Sequence, residues 1–259
     1  AFDGNDNMVM YTRYTAGAHV DLLTSSTGDF TPLNTVQYRP YRIHAGEDRS
    51  DCQLPLASVT RAGWLAYLTA IDNGTGGLNT QQHDFEGGRS DTLGWGFLGF
   101  KKHFITDETT GAVTTRTFQF PLAGGPTPFY PYVGLASEID TTIHYTSGTT
   151  DVTRTTRTEH VSPLPGTGPF FTTLNVVESA TTDSNVSTPI AELFSSRGFD
   201  EYDNQLTQQD YYPVENESRS TTTAYLNDRS NWIIGRPTHV STVSTTASGI
   251  NNRGWITGF

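Results

Sequence analysis

The groups in this 259-residue chain able to do acid–base or metal chemistry are 27 acidic side chains, seven histidines and one cysteine. Hydrolysis of a glycosidic bond needs two carboxylates facing each other across a cleft. Glu138, Asp140, Glu159, Glu178 and Glu192 supply acids in number, but their spacing does not say which of them converge. The histidines (His19, His44, His83, His103, His144, His160 and His239) form neither HExxH nor His-x-His, so they spell no zinc site. Proximity pairs His103 with Asp107 and His144 with Asp140; otherwise these are surface polar positions. Asp3-Gly4-Asn5-Asp6-Asn7 sets side-chain oxygens at alternate positions, as calcium loops do, without the later glycine and glutamate of an EF-hand. Asp200, Glu201, Asp203 and Asn204 form a second oxygen cluster, which reads as turn chemistry. Cys52 stands alone, so no intramolecular disulfide forms, and it reads as a small buried or edge thiol. No GxSxG, P-loop or GxGxxG motif lies in a strand–helix context. The expectation is a chain with no catalysis, cofactor or metal of its own.

The elements that must position these groups are strands. Hydrophobic content is 34% and charged content 17%, and roughly 40 threonines fill much of the difference. Threonine is β-branched and suits a half-solvated sheet face. The net charge of −11 argues against nucleic acid and anionic membranes as partners, and no basic run exceeds Lys101-Lys102. No apolar run approaches membrane-span length. The chain opens at Ala1 without methionine, which reads as a processed product or a piece of something larger.

Hairpins can be read directly. WLAYLTAI and LNTQQHDFEG flank a turn at Asp72–Gly77, and KKHFIT and AVTTRTFQF flank one at Asp107–Gly111. ASEIDTTIHYT and TTDVTRTTRTEHV meet near Ser147-Gly148. SRSTTTAYLND and NWIIGRPTHVSTVSTT meet near Asp228-Arg229-Ser230. Gly and Asn at the tips supply the left-handed backbone that tight turns require. Threonine-rich stretches such as VTRTTRT and HVSTVSTT read as wet ribbons. The one helical candidate is Pro189 to Ser196, PIAELFSS, closed by Gly198. Pro-rich breaks lie at 121–131 and 163–169, the second a soft break inside one β-rich domain spanning 1–259.

One stretch, Gly94-Trp95-Gly96-Phe97-Leu98-Gly99-Phe100, alternates glycine with large apolar side chains. Glycine in a strand permits bends and close backbone approach. The stretch is expected to be a kinked strand in which Trp95, Phe97 and Phe100 pack across the space left by the glycines. A ligand-stacking platform and a catalytic loop are the alternatives, although it holds no acid, base or nucleophile.

Several lines together resemble the Rhs/YD-repeat family: DLLTSSTGDFTPLNTVQYRP (21–40), LPLASVTRAGWLAYLTAIDNGTGG, GWGFLGF and TDETTGAVTTRTFQFPLAGGP, in that order. Gly198-Phe199-Asp200-Glu201-Tyr202-Asp203-Asn204-Gln205 resembles the repeat itself. Tyr225 to Thr245, with Asn231, Trp232, Gly235 and Arg236, resembles the family's "Y.ND..NWL.GRPT" line. Trp95 stands where the family has Arg, and Asp203 replaces the turn glycine of the repeat. The family comprises B components of insecticidal toxin complexes, bacterial Rhs toxins and, more distantly, teneurins, whose hairpins coil into a hollow shell. What the resemblance implies is an all-β fold of antiparallel hairpins in a large curved sheet, with little or no helix. It implies a structural role as part of such a shell in a secreted or cell-surface protein, its partner being the rest of a larger Rhs-type chain or itself.

Two further readings stand beside this one. An open hairpin sheet leaves unpaired edge groups that recruit strands, as in an exported fibre subunit or adhesin. A carbohydrate-binding module would use Trp64, Trp95, Trp232 or Trp255 to stack on glycans. Three N-x-S/T sequons, at Asn73, Asn185 and Asn216, matter where the source glycosylates exported proteins.

Overall fold

A computed structural model describes residues 22, 25–28, 31–40, 45–46, 48–59, 63–122, 130–144, 151–161 and 172–256. Their regular structure is all strand: β1 (Ser25–Gly28), β2 (Thr31–Pro40), β3 (Ala45–Gly46), β4 (Leu56–Ser58), β5 (Trp64–Asp72), β6 (Leu78–Asp91), β7 (Gly96–Asp107) and β8 (Val113–Phe118), then β9 (Ala136–His144), β10 (Asp151–Val161), β11 (Thr173–Asp183), β12 (Ala191–Phe199), β13 (Gln205–Tyr212), β14 (Glu217–Asp228), β15 (Ile233–Thr246) and β16 (Gly249–Ile256). They form one 16-stranded sheet in the order β1-β2-β5-β6 and then consecutively to β16. Neighbours are antiparallel throughout, except that the two-residue β3 lies parallel to β6.

The long β6 organises the first half. Its leading residues pair with β5, Ala45–Gly46 of β3 pair with Phe85 and Glu86, and β4 pairs with Arg89, Ser90 and Asp91. Its other edge is taken by β7 along nearly its whole length. From β7 onward the sheet is a plain meander, each strand paired only with its predecessor and successor. Among the described residues the path does not close on itself, since β1 and β16 each have a single partner.

Such a sheet buries little. Among the described residues the buried apolar side chains are Val59, Ala70, Leu98, Phe120 and Tyr130, while 19 large apolar residues are exposed. Leu98, Phe120 and Tyr130 form the one core cluster among the described residues, with Leu56 and Phe118 against it. The threonine ribbons are joined across strands by hydroxyl pairs instead, Thr114–Thr141 at 3.1 Å, Thr142–Thr153 at 3.0 Å and Thr221–Thr242 at 3.2 Å. Cross-strand pairs of this kind contribute a few tenths of a kcal/mol to about 1 kcal/mol each. With so small a core, Leu98→Ala is expected to cost about 2–4 kcal/mol. Urea titration followed by tryptophan fluorescence checks this, and a loss under 1 kcal/mol would show that the cluster does not anchor the β4–β7 region.

Two expectations are corrected here. PIAELFSS is no helix: Ala191–Phe199 is β12, with Phe194 opposite Tyr211 and Glu178. Strand pairing on both edges outweighs a weak local helix preference. The GWGFLGF stretch turns its apolar side chains differently from the expected packing. Trp95 is 55% and Phe97 47% exposed, and the side chain that enters the core is Leu98 at 6%. Gly94, Gly96 and Gly99 all have positive φ (129°, 73° and 124°). Residues 92–95 form the β6–β7 turn, and the glycines bend the start of β7 so that Leu98 points inward. Phe100 is half-buried, 4.7 Å from Phe85 and edge-on to Phe97 at 5.4 Å between ring centroids. The Asp3–Asn7 cluster, residues 163–169 and the Ser147-Gly148 tip lie outside the described residues.

Candidate functional site

The hairpin exits share one device. Asp72, Asp91, Asp107, Asp183, Asp200 and Asp228 each stand at or just past the end of a strand. Each accepts, through Oδ1, the backbone N–H two residues on, at 2.7–3.0 Å. An aspartate used this way replaces a missing ladder bond and starts the turn. Asp228 also accepts from the hydroxyl of Ser230 and from the amide of Asn231, and these bonds hold its carboxyl down at about 2.

Two of these turns are joined into a clasp, built from the two C-terminal lines that carry the family resemblance. Asp200 Oδ1 accepts the N–H groups of Tyr202 and Asn204, both at 2.9 Å. Its Oδ2 accepts the side-chain amides of Asn204 at 2.9 Å and Asn227 at 3.0 Å. Asn227 Oδ1 in turn accepts the N–H of Gly235 at 2.8 Å. A Cβ on Gly235 would sit 2.6 Å from Asn204 Oδ1, and its φ is +74°, so both space and backbone demand glycine there. Across the clasp Arg229 donates to the Tyr202 hydroxyl and to Glu201 Oε1, the latter at 2.8 Å. Burial pushes the Asp200 carboxyl up, but the four bonds from Asn204, Tyr202 and Asn227 outweigh it and hold the group below its ordinary value. Asp203 is shifted the other way, raised by burial and by the charge of Asp200. Asp203 occupies the left-handed region at φ +67°, so it adopts the backbone that a glycine would at that position.

A second knot closes the β4–β7 region. Arg89 is fully buried. Its guanidinium bonds Asp51 and donates to the carbonyl oxygens of Asp48 at 2.8 Å and Gly88 at 3.3 Å. Lys101 adds an ion pair to Asp48 at 2.7 Å, the main cause of that carboxyl's depressed pKa. At the end of β6, Asp91 Oδ2 accepts the hydroxyl of Tyr130, from the β8–β9 connection, at 2.9 Å, while Asp91 Oδ1 takes the N–H groups of Leu93 and Trp95. Burial and the Asp91 charge push the Tyr130 phenol up to about 12. Nothing in the sequence marks Tyr130; for Arg89 the available signal is an arginine directly after two glycines in EGGRSD.

The histidines pair differently from the expectation. His103 stacks on His83, ring centroids 5.2 Å apart, and on Phe85 at 4.6 Å, not on Asp107. His144 contacts Asp151 at 2.7 Å, not Asp140, because the β9–β10 register sets His144 opposite Asp151. In the first pair His83 Nδ1 lies 3.1 Å from His103 Nε2, and His83 Nε2 lies 2.9 Å from Thr69 Oγ1. Burial, His83 and Arg116 lower the His103 pKa to about 4; burial and Arg116 lower that of His83 against the opposing pull of Asp84. A base whose folded pKa lies below its unfolded value favours the fold when neutral. Its contribution is therefore complete above about pH 6.5 and is lost as pH falls toward 4. The pair is half open to water, so the expected loss between pH 7 and pH 4.5 is about 1 kcal/mol. Comparing urea midpoints at the two pH values for the wild type and for His83→Phe/His103→Phe checks this; an equal pH effect in the variant would rule the pair out. His160, lowered by burial, adds an effect of the same sign in both proteins.

The remaining marked residues are spread along the sheet. Gly198 faces Thr207, whose hydroxyl would lie 2.7 Å from an added Cβ. Asn231 and Trp232 sit at the β14–β15 tip, with Trp232 89% exposed at φ +55°, and Arg236 is half-buried opposite Leu226. Trp64, Trp95 and Trp232 lie on three separate elements, β5, the β6–β7 turn and the β14–β15 turn. The sequons Asn73, Asn185 and Asn216 all fall at exposed hairpin tips. Cys52 is a half-buried free thiol. Among the described residues no three His, Cys, Asp or Glu side chains group as metal ligands, and no helix is long and apolar enough to cross a membrane. The arrangement at both knots can fix backbone and hold turns against one another.

No family model matches the chain, and no curated protein does. Among solved structures it is similar to a chain in the crystal structure of TcdB2-TccC3-Cdc42, at 9% identity and a TM-score of 0.44. The match covers 87% of this chain and 15% of the length of that one.

Proposed function

We propose that this chain is a structural β-scaffold, a segment of an Rhs/YD-type shell belonging to a secreted or cell-surface protein, with no catalysis of its own. The observation that carries the reading is the clasp. Two sequence lines that resemble the family's repeat and its neighbour lie some 30 residues apart, and they meet as one bonded unit holding adjacent turns in register. Residues marked by the resemblance (Asp200, Tyr202, Asn204 and Gly235) are therefore used to set hairpin upon hairpin. From β5 onward strand order follows chain order, and among the described residues both edge strands have a single partner, so further hairpins can extend the sheet in either direction. Reading the gene beyond the codon for Phe259 tests this. Further hairpin lines of the G-[F/Y]-D…Y…N type followed by a variable C-terminal region are expected, and a stop codon directly after Phe259 would remove the shell reading.

A second reading is a subunit of an extracellular fibre or adhesin that assembles by edge pairing. It is favoured by β16, an eight-residue strand with a single partner among the described residues and no proline or lysine to blunt its edge. Electron microscopy of the purified chain separates the two: the fibre reading requires polymers with a regular rise.

A further inference from the structure

The register divides the charges of the sheet by sign. Residues directly opposite on antiparallel strands share a face, so one row can be followed from strand to strand. The row Glu138–Arg157–Glu178–Phe194–Tyr211–Ser218–Thr245–Ile250 runs from β9 to β16 on one face. The row Arg197–Gln208–Thr221–Thr242–Arg253 runs from β12 to β16 on the other. Side-chain contacts agree with this division. Arg157 bonds Glu138 at 2.8 Å on the first face; Arg154 bonds Ser179 at 3.2 Å and Ser195 bonds Asp210 at 2.7 Å on the second.

From β8 to β16, away from the strand ends, the first face carries Glu138, Asp140, Glu159, Glu178 and Glu192, with Arg157 and, opposite Leu226, the half-buried Arg236 as its cations. The second carries Arg116, Arg154, Arg197, Arg219 and Arg253, with Asp210 as its one carboxylate, buried and bonded to Ser195 and Gln208. Of the five arginines, all but Arg197 are exposed, and none forms an ion pair among the described residues. A chain of net charge −11 thus presents one arginine face and one carboxylate face, with no covering layer on either among the described residues.

We propose that these faces bind each other between molecules, the arginine face of one copy lying on the carboxylate face of a second. Both surfaces repeat at the same strand spacing, and stacked sheets pack about 10 Å apart, within reach of an arginine from one and a glutamate from the other. The carboxylate face also holds a trough of about 450 Å³ over β11–β15, lined by Val176, Phe194, Tyr211 and Val243, which supplies an apolar seat amid the charges. Charge complementarity fixes which face meets which. The contact is heterologous, so each bound copy still offers one free face of each sign, and association is open-ended. A nucleic acid is the less suited occupant because it would also meet the chain's overall negative charge. This inference does not rest on the shell reading.

The test is a charge swap read by sedimentation velocity across a concentration series of the whole chain. Wild type is expected to associate with rising concentration. Arg154→Glu/Arg219→Glu/Arg253→Glu, and separately Glu159→Lys/Glu178→Lys/Glu192→Lys, are each expected to weaken self-association about tenfold or more. The two variants mixed are expected to associate with each other, since every face of one then complements every face of the other. Far-UV circular dichroism and urea midpoints establish that both remain folded; if either does not, the matching Gln substitutions replace it. Wild type that stays monomeric at hundred-micromolar concentration overturns the proposal, as does association unaffected by either triple substitution, or failure of two folded variants to combine. Binding of heparin or an oligonucleotide through the arginines, without self-association, overturns it in favour of a polyanion on that face.

Discussion

Replacing Arg89 with methionine is expected to destabilise the fold by about 3 kcal/mol, because it removes one partner of a buried charged network and leaves the other partners in place. The guanidinium is fully buried, and it ties Asp51 and the Asp48 carbonyl to β6. Methionine fills much of the volume but donates nothing, so the Asp48 and Gly88 carbonyl oxygens lose hydrogen bonds inside the protein. Asp51 is 41% exposed and can turn to water, which keeps the loss near the lower end for such pairs. Lys101 still reaches Asp48, so part of the attachment survives. Urea titration gives the magnitude, and limited proteolysis gives the location: cleavage within residues 48–58 should accelerate before cleavage elsewhere. A change below 1 kcal/mol with unchanged proteolysis would mean that strand pairing alone holds that segment to β6.

Asp200→Ala is expected to cost about 2–4 kcal/mol, since it deletes four hydrogen bonds to one carboxylate and strands two amide side chains in the clasp. Asp200→Asn keeps acceptor oxygen but loses charge and one acceptor position, so its cost is expected to be smaller. A second readout identifies the cause. Asp203 is raised partly by the charge of Asp200, so its pKa should fall in Asp200→Ala when followed by carboxyl NMR. If the fold weakened while Asp203 titrated unchanged, the two groups would not share one electrostatic environment and the clasp as described would be wrong.

Much of the architecture was readable from period-two patterning and turn residues. The exits at Asp72, Asp107 and Asp228 were legible because aspartate followed closely by Gly, Thr or Ser at the end of an alternating run has a local physical meaning. The resemblance to two C-terminal lines pointed to the right residues, Asp200, Asn204 and Gly235, but not to their meeting, because adjacency of two hairpins is a tertiary fact. PIAELFSS misled since eight residues of mixed propensity follow whichever edges bind them. GWGFLGF misled because burial followed the bends at its glycines rather than side-chain size, sending Leu98 in and leaving Trp95 out. Arg89 and the sorting of charge between faces were hidden for a common reason: a one-residue change of register would reverse every side chain, and register is set across strands.

The strict meander from β7 to β16 has a consequence for how the chain becomes and stays native. Each ribbon there leans only on the two beside it, so order spreads like a zip from any hairpin that forms first, as in quasi-one-dimensional repeat proteins. Loss at one end need not be felt at the other. A protease nick at an exposed tip would then leave two folded pieces instead of one unfolded chain, and lengthening or shortening by whole hairpins would alter the extent of the protein without asking the rest to refold.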